Sequence, residues 1–176
     1  MFVQSLRGAL IRASYPASRR IRERRKPGLP VRESRFGKTV TNPSWAAYRR
    51  AFYRARTGGG NEVEIRVGKR APALDELLGQ EGKRRWIFVT ACNPGARRLG
   101  AAENRARTDA LESSLKRRGF LFFEGRSGAD AGEWPEEAGF LVVGVARREA
   151  ERLRRRFGQD AFVTGLYGGV ARLWPS

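Results

Sequence analysis

Glu103, Asn104 and Arg107 stand at i, i+1 and i+4 in the run ENRAR, and Glu136 and Glu137 close the later run GADAGEWPEE. A guanidinium beside a carboxylate permits one kind of chemistry. The arginine clamps an anion while the carboxylate serves as base or metal ligand. On that reading Glu103, Glu136 and Glu137 are the catalytic candidates of a hydrolase or transferase acting on a phosphorylated or nucleotide-like substrate. Arg97, Arg98, Arg105 and Arg107 crowd the same helix start. Free backbone N–H groups at such a start attract anions, which makes these four the anion-binding candidates. The same stretch also fits a plain strand, turn and helix. Asn93-Pro94-Gly95 is a turn signal. Gly100, three residues before Glu103, resembles half of a capping box. Both readings stay open.

Glu124, Asp130, Glu133, Glu136 and Glu137 form an acidic cluster. Clustered carboxylates bind hard cations or move protons, but the spacing matches no known calcium loop, and an exposed acidic loop is the plainer reading. No metal site and no cofactor is expected. Cys92 is the one cysteine and histidine is absent, so Ser-His-Asp and Cys-His catalysis and His-ligated metals are excluded. Cys92 follows an apolar run and reads as a small buried residue. Gln159-Asp160, after a helix stop, reads as a cap or turn. Asn93, Asn104 and Gln159 each sit where an element begins or ends. They are expected to meet around the C-terminal end of strand 86–90, satisfying backbone groups left free there.

The elements that must position these residues follow from periodicity. Asn42 and Pro43 suit a helix start, and Trp45, Tyr48 and Phe52 then fall on one helical face, as core or as a base-stacking platform, ended by Gly58-Gly59-Gly60. Val63, Ile65 and Val67 alternate with charged residues as a half-buried strand. A short helix carries Leu74, Leu77 and Leu78 and closes at Gly79. Residues 86–90 make a more central strand. A helix over 103–118 shows Ala106, Ala110, Leu111 and Leu115 on one face and stops at Gly119. Strands are expected at 120–123 and 140–145, separated by a loop over 125–135. A helix over 147–157 stops at Gly158, and strands 161–164 and 170–173 pair across Tyr167-Gly168-Gly169. The fold class is α+β: one domain over 41–176 with a mostly antiparallel sheet of about five to six strands packed by two to three helices.

Net charge is +18, and residues 1–60 carry 15 basic and 2 acidic side chains. Residues 1–40 read as a basic, poorly ordered tail. Such a tail points to a polyanion, nucleic acid or anionic lipid, or to a solubilising extension or an early start codon. The Arg- and Ser-rich start also has the look of an organellar transit peptide. No apolar stretch is long enough to span a bilayer.

WIFVTACNP, ENRARTDALESSLKRRGF, EWPEEAGFLVVGV and AERLRRRFGQDAFV, taken in this order, resemble the bacterial Domain of Unknown Function 3293 family across roughly Pro43 to Leu173. The shared features fall on Thr90 to Pro94, on Glu103-Asn104 and Arg107, on Trp134 to Glu137 and on Phe157 to Gln159. Cys92 stands where the family carries an aromatic residue, and Gly100 where it carries a polar cap. The resemblance implies a bacterial cytoplasmic domain, argues against the organellar reading and brings no activity.

The leading expectation is a non-enzymatic module of the cytoplasm that binds nucleic acid or another polyanion through the basic tail and the Arg97 to Arg107 region. The phosphoryl-substrate enzyme is one alternative. A protein-interaction adaptor using the acidic 124–137 loop is another, with the protein partner unknown.

Overall fold

The computed structural model describes residues 45–130 and 134–174, so the tail expected over 1–40 and the helix start at Asn42 and Pro43 lie outside the described residues. The order of elements is α1 (Trp45–Arg50), β1 (Phe52–Arg56), β2 (Glu62–Arg66), α2 (Pro72–Gln80), β3 (Arg85–Thr90), α3 (Ala101–Arg117), β4 (Leu121–Gly128), β5 (Glu137–Val143), α4 (Arg147–Arg156), β6 (Phe162–Leu166) and β7 (Arg172–Trp174). The fold is α+β, as expected, with one more strand than the upper expectation. All seven strands join one sheet in the order β2-β1-β4-β5-β3-β6-β7, and every neighbouring pair is antiparallel.

The sheet curls until its two edges touch. A single parallel bridge joins Val67 to Ala171, where Gly68 N–H donates to the Ala171 carbonyl at 2.8 Å and Ala171 N–H to that of Lys69 at 2.9 Å. Curling creates a concave and a convex face, and each has a core. Tyr53, Ile65, Trp86, Phe88, Leu141 and Val163 point to the concave side, where Leu74, Leu77 and Leu78 of α2 pack on them. Ile87, Val89, Phe140, Val142 and Phe162 point to the convex side, under Leu111 and Leu115 of α3 and Ala150 and Leu153 of α4. Covered on both faces, β3 has no polar alternation, which is why it reads as an unbroken apolar run.

Four expectations are corrected. The helix read through Phe52 ends at Arg50, and Phe52 opens β1, a strand absent from the reading. Trp45 is exposed and α1 buries no residue, so the Trp45-Tyr48-Phe52 stripe is no core helix face. The strand read over 120–123 continues to Gly128, through the expected loop. On α3, Ala106 and Ala110 are exposed, and the inward face runs through Asn104, Arg107, Thr108, Leu111 and Leu115. Its N-terminal half therefore turns polar groups toward the sheet.

Candidate functional site

β3 ends at Thr90, and the chain leaves the sheet through Ala91 and Cys92, both buried. Asn93 then adopts a left-handed conformation (φ 45°, ψ 56°), which asparagine tolerates better than most residues. This turn aims its side chain inward, where it is only 6% exposed. Asn93 N–H donates to Asn104 Oδ1 at 3.0 Å, and Asn104 Nδ2 donates back to Asn93 Oδ1 at 3.0 Å. Leu99 N–H also donates to Asn93 Oδ1, at 2.9 Å. Gln159 Nε2 donates to the Cys92 carbonyl at 2.8 Å, and Gly95 N–H to the Gly158 carbonyl at 3.1 Å. The structure thus brings Asn93, Asn104 and Gln159 together at the end of β3.

Arg107 is turned into the same junction. Its Nε donates to the Ala91 carbonyl at 2.7 Å and its Nη2 to the Phe157 carbonyl. Those bonds tie the end of β3 to the end of α4 and commit Nε and Nη2 of the guanidinium to backbone carbonyls. Arg97 and Arg105 are exposed, and Arg98 lies over the Trp134 ring at 5.2 Å.

The acidic candidates separate. Glu103 is exposed in the first turn of α3. Glu136 pairs with Arg126 at 3.4 Å, and Asp130 with Arg66 at 2.7 Å, on the convex side of β1, β2 and β4. Glu137 alone joins the polar junction. Its Oε1 accepts from Asn93 Nδ2 at 2.7 Å and from Trp134 Nε1 at 2.9 Å. Burial pushes the Glu137 carboxyl above its ordinary range, against the lowering effect of those two bonds. Among the described residues no group of three or more histidine, cysteine or acidic side chains is placed to hold a metal.

Two residues near Glu137 escaped the sequence reading as site candidates. Tyr48 has its phenol pushed up to about 12 by burial and by the charges of Asp160 and Glu137. Ser127 pairs with Glu137 across β4 and β5 and is buried. Strand register brings Ser127 to Glu137, whereas Tyr48 comes from α1, held by Tyr53 Oη, which donates to the Tyr48 carbonyl at 3.0 Å. For Ser127 the one available signal was an alternation running through glycines.

A second feature lies on the convex side, away from this junction. Arg85 and Ile87 of β3, Thr164 and Leu166 of β6, and Arg172 and Trp174 of β7 line a groove of about 580 Å³ beside the start of α4. Arg49 and Arg147 complete its rim, and no carboxylate lines it. The Arg147 guanidinium sits 4.5 Å from the centre of the Trp174 ring. Leu166 and Val170 are exposed there, at 49% and 38%. None of the four arginines is paired with an acid among the described residues.

A curled, seven-stranded antiparallel sheet with helices on its convex side, closed at one end by an amide-rich junction, defines an α+β domain. Residues 89–162 match the family described as protein of unknown function DUF3293, and that segment is a DUF3293 domain. The match takes in the whole Asn93-Asn104-Arg107-Glu137-Gln159 junction. It is narrower than the span over which the sequence resembles the family. No curated protein and no solved structure matches the chain.

Proposed function

We propose that this protein is a non-enzymatic module that binds nucleic acid or a comparable polyanion, and that the convex groove is its contact surface. The observation that carries the reading is a groove with four arginines on its rim and no carboxylate in its lining. Phosphates meet cations on every side there, while apolar Leu166, Val170 and Trp174 offer contact to bases or sugars. The basic N-terminal third of the sequence adds charge of the same sign. No described helix is long and apolar enough to cross a membrane; the setting proposed here is the cytoplasm.

Fluorescence anisotropy of a labelled oligonucleotide with the full chain tests this. If all four arginines neutralise phosphates of a single strand, log K should fall with log salt at a slope of about −3 from the groove. Charge reversal at Arg85 and Arg172 together should weaken binding about tenfold or more, whereas Arg105→Glu, on exposed α3, should change it little. Binding that is absent at low salt, or equal in the groove variant, removes the proposal.

A further inference from the structure

The concave face carries polar groups that neither the β3 junction nor the arginine groove employs. Tyr53 of β1 pairs with Ser127 of β4, and Ser127 pairs with Glu137 of β5. Side chains in one such row share a face, and Tyr53 packs edge-on against Phe88, 5.4 Å between ring centres, so that face is the concave one. Tyr53 Oη donates to the Tyr48 carbonyl at 3.0 Å, which holds Tyr48 at the same end.

The row and its neighbours hold the carboxylates of Glu137 and Asp160 and the hydroxyls of Tyr48 and Ser127. Ser127 is only 8% exposed, and its hydroxyl has no partner among the described residues. Glu137 Oε1 is fixed by two donors, while Oε2 has none among the described residues. Asp160 Oδ2 is buried without a partner, while the Tyr48 phenol lies against the Asp160 carboxylate as a donor and Arg154 Nη1 reaches the Asp160 backbone carbonyl at 3.3 Å. Buried polar atoms are normally satisfied; of these acceptors Asp160 Oδ2 alone is a buried atom without a partner among the described residues, and an accessible carboxylate oxygen and hydroxyl beside it suit a ligand that brings donors. Two carboxylates at that mouth repel an anion and attract a cation.

We infer that the concave mouth formed by Tyr48, Ser127, Glu137 and Asp160 is a binding site for a small ligand carrying a primary ammonium or guanidinium group. The charged nitrogen sits between Glu137 Oε2 and Asp160 Oδ2 and donates to the Ser127 hydroxyl, with the Tyr48 ring as a wall. The site is separate from the arginine groove and independent of nucleic-acid binding.

Trp134 supplies the reporter, because its indole N–H is bonded to Glu137. The full chain is titrated with agmatine, and with butyramide and butyrate as neutral and anionic controls, while the indole N–H resonances are followed by NMR. Agmatine should shift the Trp134 resonance saturably and leave Trp174 unmoved, and neither control should do so. Glu137→Gln keeps an acceptor oxygen for Asn93 and Trp134 but loses the charge, and should weaken agmatine about tenfold or more; Ser127→Ala should weaken it about fivefold. An unsaturable shift, an equal response to butyramide or butyrate, or unchanged affinity in both variants overturns the inference. Water filling the mouth would give that last result.

Discussion

Asn93 and Asn104 show how a pair of amides can replace the missing regular structure between a strand and a helix. Each uses both ends of its amide, and Asn104 reaches Asn93 twice. Asn104→Ala leaves the Asn93 N–H and its Oδ1 each short of a partner in a buried turn, and should cost about 1–3 kcal/mol. Thermal melting reads this; an unchanged midpoint would count against a structural role. Glu137 makes a second prediction at this scale. Its carboxyl titrates above the ordinary range in the folded chain because burial opposes its charge. The native state therefore keeps a proton that the unfolded chain has already released. Stability from that proton is complete below the unfolded value and is lost as pH rises through the folded one. Glu137→Gln cannot ionise, so its stability relative to the wild type should rise over that window. Urea unfolding of both proteins from about pH 4 to about pH 7 checks the sign, and a variant whose stability relative to the wild type stays level or falls as pH rises contradicts it. That three amides meet at the end of β3 was legible from their positions at element ends. Ser127 was not, since nothing local marks a serine as the neighbour of a glutamate ten residues on.

Glycine explains most of what the sequence hid about the elements. Gly125 and Gly139 face each other on β4 and β5, and the Phe88 ring lies over both. A Cβ on Gly125 would stand 2.3 Å from the Arg54 carbonyl oxygen and 2.8 Å from that ring. Gly165 makes the same room for Trp86. These glycines are strand residues chosen for closeness, yet in a sequence they read as a loop, and so β4 was cut at Phe123. β1 was hidden differently. Trp45, Tyr48 and Phe52 happen to fall at helical spacing, although Phe52 to Arg56 pairs as a strand on both sides. Gly125→Ala should destabilise the fold by about 1–3 kcal/mol, as overpacking of a filled core does. Gly100 is the contrasting case. It precedes α3 at φ −66° and ψ 159° with no side-chain cap, and nothing lies within 4 Å of a Cβ there. Gly100→Ser should therefore stabilise by a few tenths of a kcal/mol by capping the helix start. Denaturant midpoints of the two variants should move in opposite directions, and a stabilising Gly125→Ala would refute the packing argument.

At the scale of the whole described domain, one sheet separates two cores. The concave core holds Ile65 and α2, and the convex core holds Ile87 with α3 and α4. Two cores invite two unfolding steps. The strands argue otherwise, because neighbouring residues of β3 serve both: Phe88 enters the concave core and Val89 the convex one. A strand cannot lose one face and keep its backbone in register on the other. The bridge between Val67 and Ala171 adds to this, since it ties the edge of β2 to that of β7 and leaves the curl dependent on both. Unfolding should therefore be a single cooperative transition. Ile65→Val and Ile87→Val, each removing one buried methylene, should each cost about 0.5–1.5 kcal/mol. Hydrogen exchange supplies the test. Ile65→Val should lower protection of the α3 amides as much as of the α2 amides, although it touches only the concave core. Protection lost in α2 alone would mean that the two faces unfold separately and that the sheet does not couple them.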